Sequence, residues 1–144
     1  MSTQETLLHS ELGTILEKFG CQAGTIHRFS PDDGLLHLVT SIGIPEPVIA
    51  IIQKVPVGKG MAGLAAERNE PVQVCNLQTD NSGKARIGAR ATGMEGSIAV
   101  PMRLAENPGG VAGVLGVAKA TPYDFTEEEL AALLAEGTRL ADRF

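Results

Sequence analysis

Aromatic side chains are scarce in this chain, which has no Trp, one Tyr and four Phe, so it offers little flat surface on which bases could stack. Basic residues are also outnumbered. Twelve Lys and Arg against 17 Asp and Glu give a net charge of -5, the wrong sign for a protein whose main business is nucleic acid. The two cysteines, Cys21 and Cys75, are too few for the disulfide framework of a small secreted scaffold, and buried reduced thiols are expected instead. No apolar run approaches the roughly 20 residues that cross a bilayer. Met1 to Glu5 carries no basic region ahead of an apolar one, so neither a membrane segment nor a leader is expected, and the location expected is cytoplasmic. What is present is an ordinary globular composition. At 144 residues and 43% apolar, one domain spanning 1–144 can bury its own core.

The apolar pattern gives an order of elements. Ser2-Thr3-Gln4-Glu5 has the form of a capping box, and Leu8, Leu12, Ile15, Leu16 and Phe19 follow at helical spacing until Gly20 can end the helix. Cys21 to Phe29 and Leu35 to Ser41 read as a hairpin around Ser30-Pro31-Asp32-Asp33-Gly34. Pro45 to Gln53 suits a short helix with Val48, Ile49 and Ile52 on one side, although its isoleucines also suit a strand. Val55 to Val57 is a short strand, Met61 to Arg68 a short helix and Pro71 to Cys75 another strand. From Gln78 to Glu95 the chain is polar, a long loop with room for a helical turn or two. Gly96 to Arg103 and Val111 to Lys119 read as strands joined by Asn107-Pro108-Gly109-Gly110. Thr126 and Glu129 form a second capping box, with Phe125 and Leu130 as its hydrophobic staple, opening a helix to about Arg143. This order predicts an α+β fold, an antiparallel sheet with helices at both chain ends.

Gly58, Gly60 and Gly63 satisfy G-x-G-x-x-G between a strand and a helix, with Asp80 downstream. A dinucleotide fold would need a long buried parallel strand there. The strand here is about three residues, includes Pro56, and precedes a helix of two turns. A phosphate-binding P-loop is also missing, because Gly58-Lys59-Gly60-Met61 has neither the four-residue spacer nor a Ser or Thr after the lysine. The glycines are expected to turn a strand sharply into a helix.

Val55-Pro56-Val57-Gly58-Lys59-Gly60-Met61-Ala62-Gly63, followed by Pro71-Val72-Gln73-Val74 and Asn76-Leu77, resembles the central signature of GAF domains. Ser97 to Met102, Val111 to Val117 and Phe125 to Leu130 resemble that family's last two strands and closing helix, in the family's order, so the likeness covers nearly the whole chain. It implies a six-stranded, PAS-related antiparallel sheet, with the terminal helices packed on one face and a small-molecule pocket on the other. Members of the family bind cyclic nucleotides, bilins, haem, 2-oxoglutarate or other small effectors, and some bind nothing known.

The resemblance also bears on chemistry. Free methionine-(R)-sulfoxide reductases share this fold, and their pattern would put cysteines at Ile52, Ala62 and Arg90, where this chain has none. Cys75, at the end of an apolar strand, reads as core. No enzymatic activity is expected. Covalent bilin attachment commonly uses a cysteine followed by histidine, and neither Cys21 nor Cys75 has one beside it. The Asn-Lys pair of the cyclic-nucleotide binders is replaced by Asn76-Leu77, and their Phe-x-x-x-Asp-Glu ending survives only in Phe125 and a generic acidic position. His9, His27 and His37 show no ligand spacing for haem or metal and are expected as surface or hairpin histidines.

A non-covalent ligand is what this leaves. Lys84, Arg86 and Arg90 form a local basic stretch where GAF domains fold a lid over the pocket, so the ligand expected is a small molecule of anionic character, although a short charge run can also simply solvate a loop. Met61, Met94, Ser97 and Met102 complete the candidate set beneath that lid. Leu130, Leu133, Leu134, Gly137, Leu140, Ala141 and Phe144 form an apolar stripe on the last helix. By the family resemblance the terminal helices also form a homodimer, with a signalling partner acting in trans. The function expected is a sensory or regulatory module of signal transduction; a thiol-dependent reductase and a ligand-free dimerisation scaffold are the alternatives.

Overall fold

The computed structural model describes residues 3–84 and 87–144. Helix α1 (Thr3–Phe19) leads into the hairpin β1 (Ala23–Ser30) and β2 (Leu35–Ile42), then helix α2 (Glu46–Ile52), strand β3 (Lys54–Pro56), helix α3 (Gly60–Arg68) and strand β4 (Val72–Val74). A 3₁₀ turn at Ile87–Thr92 precedes the long strands β5 (Ser97–Leu104) and β6 (Asn107–Ala118), and helix α4 (Glu127–Ala141) closes the chain. The six strands form one sheet in the order β3-β2-β1-β6-β5-β4, with every neighbouring pair antiparallel. The α+β architecture expected from the sequence is therefore the one observed.

Local chemistry explains where the elements stop. Gly20, at φ +64°, ends α1: Cys21 N–H donates to the Leu16 carbonyl and Gly20 N–H to that of Glu17, so the last carbonyls of the helix are satisfied. The cap expected at Ser2 lies outside the described residues. At the other end Thr126 Oγ1 accepts from Glu129 N–H at 3.1 Å, and the Glu129 carboxylate accepts from Thr126 N–H at 3.0 Å. Tyr123 Oη donates to the same carboxylate at 2.6 Å, which ties the incoming loop to the first turn of α4. These donors hold the Glu129 carboxyl below the usual carboxylate range, the Thr126 backbone being the largest cause.

The sheet separates two apolar layers. On one face α1 and α4 bury Leu8, Leu12, Ile15, Leu133 and Leu140 against Ile26, Ile98, Val100, Met102, Leu115 and Val117. On the other, Ala65 of α3 packs with Leu36, Val55, Val72, Ala99 and Val114, and this second layer is thinner. Strand parity fixes the assignment, since residues two apart share a face.

Two sequence expectations are corrected. Asn107 to Gly110 do not form the turn between the last strands; Ala105 and Glu106 do, with Leu104 opposite Asn107. The pairing then jumps to Arg103 opposite Val111, so residues 108–110 are extra length in β6, a bulge where Pro108 has no ladder partner to serve. Cys75 is exposed rather than buried, because β4 stops at Val74 and leaves it beyond the strand end.

The bulge is anchored through Asn69, the left-handed residue that caps α3 at φ 53°. Its amide donates to the Pro108 carbonyl at 2.9 Å, while Arg103 donates to the Asn69 side-chain oxygen at 2.8 Å and to its carbonyl at 2.6 Å. Asn69→Ala should cost about 2 kcal/mol in urea denaturation, and Asn69→Gly about 1 kcal/mol, because glycine relieves the left-handed backbone but supplies no amide. Equal losses would remove the backbone from the account.

Candidate functional site

A cavity of about 160 Å³ lies on the second face of the sheet. Its floor is formed by Ala23, Thr25 and His27 of β1, Gly116 and Ala118 of β6, and Ser97 and Ala99 of β5. The small residues among them, Ala23, Ser97, Ala99, Gly116 and Ala118, leave the space open. Val48, Ile51 and Ile52 of α2 form one wall and Met61 and Ala62 of α3 another, with Leu77, Ala89, Thr92 and Met94 closing the third side. The lining is mostly carbon, the composition of a site for an apolar small molecule.

The glycine turn places α3 against this cavity. Gly58 and Gly60 take positive φ, +92° and +68°, which only glycine adopts readily. Gly63 serves by contact instead: a Cβ there would lie 2.4 Å from the Pro56 carbonyl oxygen. Two of the turn's amides are used internally, Gly58 N–H donating to the Gly63 carbonyl at 2.8 Å and Lys59 N–H to that of Pro56 at 3.2 Å. The strands on either side pair antiparallel, against the dinucleotide reading of the motif.

Of the side chains expected at a site, Met61, Met94 and Ser97 line the cavity. Met102 does not. It is fully buried beneath α1 and α4, since it shares strand parity with Ile98 and Val100 while Ser97 and Ala99 face the cavity. Lys84 and Arg90 are not part of the lining; Arg90 is exposed and donates to the Asp80 carbonyl at 3.0 Å. Arg86 lies outside the described residues. Gln78 ties the segment together through its amide, which donates to the carbonyls of Arg90 and Met94 at 3.1 and 2.8 Å.

One functional candidate escaped the sequence reading. His27 belongs to the hairpin as expected, yet it is 2% exposed and forms part of the cavity floor. Its Nε2 lies 2.9 Å from the Ile52 carbonyl, which can only accept, so Nε2 carries the proton. Burial holds the imidazole below its ordinary pKa, opposed in part by that hydrogen bond, so the ring is neutral and Nδ1 presents a lone pair. Among the described residues, Nδ1 is the one buried side-chain nitrogen or oxygen without a hydrogen-bond partner. The visible signal was parity: His27 alternates with Ile26, which faces the terminal helices.

The other candidate groups are occupied elsewhere. His9 Nδ1 meets Thr40 Oγ1 at 2.7 Å, and His37 Nε2 meets the Asp33 carboxylate at 2.7 Å. Burial pushes the Cys21 thiol up to about 11, the opposite of what a nucleophile needs. Cys75 is exposed but lies outside the lining, its carbonyl accepting from Tyr123 N–H at 3.0 Å.

Solved structures share this fold. The GAF domain of the Acinetobacter phosphoenolpyruvate-protein phosphotransferase superposes with a TM-score of 0.78 at 18% identity, over 97% of this chain and 80% of that one. The corresponding GAF domain from Coxiella burnetii gives 0.79 at 20% identity, over 99% and 83%. A type II free methionine-R-sulfoxide reductase from Thermoplasma acidophilum gives 0.77 at 17% identity, over 97% and 91%. At such identities these likenesses establish the fold alone. No curated relative matches the sequence. A sequence model of GAF domains matches residues 2–141, and the chain belongs to the GAF domain family.

Proposed function

We propose that this protein is a sensory or regulatory module that holds one small molecule non-covalently between the sheet and the α2–α3 wall, without catalysis. The observation that carries the reading is the cavity itself, about 160 Å³ of mostly apolar lining built on a rigid sheet. Ile52 and Ala62, where the resemblance would put cysteines in a reductase, border it with carbon only, which supports binding over sulfur chemistry. The same apolar lining favours a neutral ligand over the anionic one suggested by Lys84, Arg86 and Arg90. Signalling would follow if the ligand shifts the population of an assembly made through the terminal helices or of a complex with a partner in trans.

Thermal-shift screening against neutral aromatics, carboxylates and nucleotides tests the binding, together with native mass spectrometry of whatever co-purifies. A ligand at 100 times its Kd should add about 2.7 kcal/mol of stability. Ala62→Leu, which fills part of the cavity, should fold and lose that gain. A gain unchanged in the variant would move the site elsewhere. Light scattering on the same samples reads assembly, where a strict monomer at high concentration would argue against the dimer.

A further inference from the structure

We infer that the ligand is a compact neutral molecule of about one ring, carrying an O–H or N–H group that donates to Nδ1 of His27. This rests on the reading of the cavity as a ligand site. The size follows from the volume: an enclosed cavity of about 150 Å³ holds a benzene-sized guest, and this one, of about 160 Å³ and open on one side, seats a ring of that size. The donor requirement follows from the imidazole. Nε2 is committed to the Ile52 carbonyl, which leaves Nδ1 an acceptor only, buried and without a partner among the described residues.

A buried acceptor without a donor is a standing cost to the protein, and an arriving donor removes it. Nδ1 is itself closed off from the open space, so a donor reaches it only when the cavity wall moves, and the unbranched thioethers Met61 and Met94 are the most adaptable side chains of that wall. Neutrality follows from the rest of the lining. Lys59 is its one cationic side chain among the described residues, and that side chain belongs to an exposed residue, so a carboxylate inside would lose water with little in return. The other polar side chains of the lining, Thr25, Thr92 and Ser97, are uncharged hydroxyls, which serve a neutral ligand as well as the imidazole does.

Phenol and toluene separate these claims, since they match in size and differ in the donor. A cavity lined only by carbon prefers toluene, because phenol would give up the hydration of its hydroxyl. Calorimetry should instead show phenol binding the wild-type protein about tenfold tighter than toluene. In His27→Phe the preference should reverse while toluene binding persists. Because that variant leaves the Ile52 carbonyl without its donor, ¹⁵N NMR of the wild-type imidazole supplies an independent measurement: phenol, and not toluene, should move the Nδ1 resonance of His27. Equal affinity for phenol and toluene with no movement of Nδ1 would overturn the assignment to His27 and leave the cavity as a site. Tighter binding of benzoate than of phenol would overturn the neutral class. Binding of none of the three would overturn the cavity reading and this inference with it.

Discussion

Truncating Leu133 to alanine is expected to lower the free energy of unfolding by about 3–5 kcal/mol, the largest loss of any single substitution considered. The side chain is fully buried in the layer between α4 and the sheet. Loss of its methyl and methylene groups removes transfer free energy and leaves a cavity, and the size of the second effect depends on how far α4 can move inward. It can move little. Gly137, one turn along, already sits so close to β5 that an added Cβ would be 3.2 Å from the Pro101 carbonyl oxygen. The N-terminus of α4 is fixed by its capping box, and its outer side by Arg139, which pairs with Glu11 of α1 and with Glu136. The void therefore stays open, and the cost falls in the upper part of the known range. Urea denaturation should show a lower midpoint at an unchanged slope. Leu134→Ala, at a half-buried position, should cost less than about 1.5 kcal/mol. Similar losses at the two positions would mean that α4 slides to close the gap.

How much of this was legible beforehand depends on the reach of each interaction. The last helix could be read from sequence because its signals are local: Thr126 and Glu129 are three residues apart and Phe125 adjoins them. The turn between β5 and β6 could not, because its position depends on the register of two strands, and Asn107-Pro108-Gly109-Gly110 is as good a turn sequence as it is a bulge. The site shows the same division. Alternation groups Ile98, Val100 and Met102 on one face and Ser97 and Ala99 on the other, but which face meets the terminal helices is decided by packing at a distance, so Met102 was assigned to the wrong layer. His27 is buried by α2, whose Ile52 is 25 residues further along the chain, and nothing near His27 announces that carbonyl. The basic stretch is hard to place from sequence for a related reason. Charge marks a segment as polar, while the Arg90 side chain is directed by a local acceptor, the Asp80 carbonyl.

Gly63→Ala should destabilise the protein by about 2–4 kcal/mol, against the usual benefit of alanine in a helix. Alanine is favoured over glycine at a helix interior by about 1 kcal/mol, and Gly63 lies within α3. Its position in the fold reverses the sign. The added Cβ would stand 2.4 Å from the Pro56 carbonyl oxygen and 3.1 Å from the Gly58 nitrogen, and both are backbone atoms that cannot rotate away as a side chain would. The turn they belong to is already committed, with Gly58 and Gly60 at positive φ and Gly58 N–H bonded to the Gly63 carbonyl. Relief requires α3 to lift from β3, and that motion carries Met61 and Ala62 away from the cavity they border. Weaker binding of any cavity ligand should therefore accompany the fall in stability. Gly13→Ala supplies the control, because a Cβ at that position in α1 meets only Ile42 Cδ1 at 3.8 Å, an ordinary contact. There the helix preference should prevail, with a gain of about 0.5–1 kcal/mol. Thermal melts of the two variants should move in opposite directions from the wild type. A Gly63→Ala protein as stable as the parent would show that the turn yields, and that its third glycine is not what fixes α3 against the sheet.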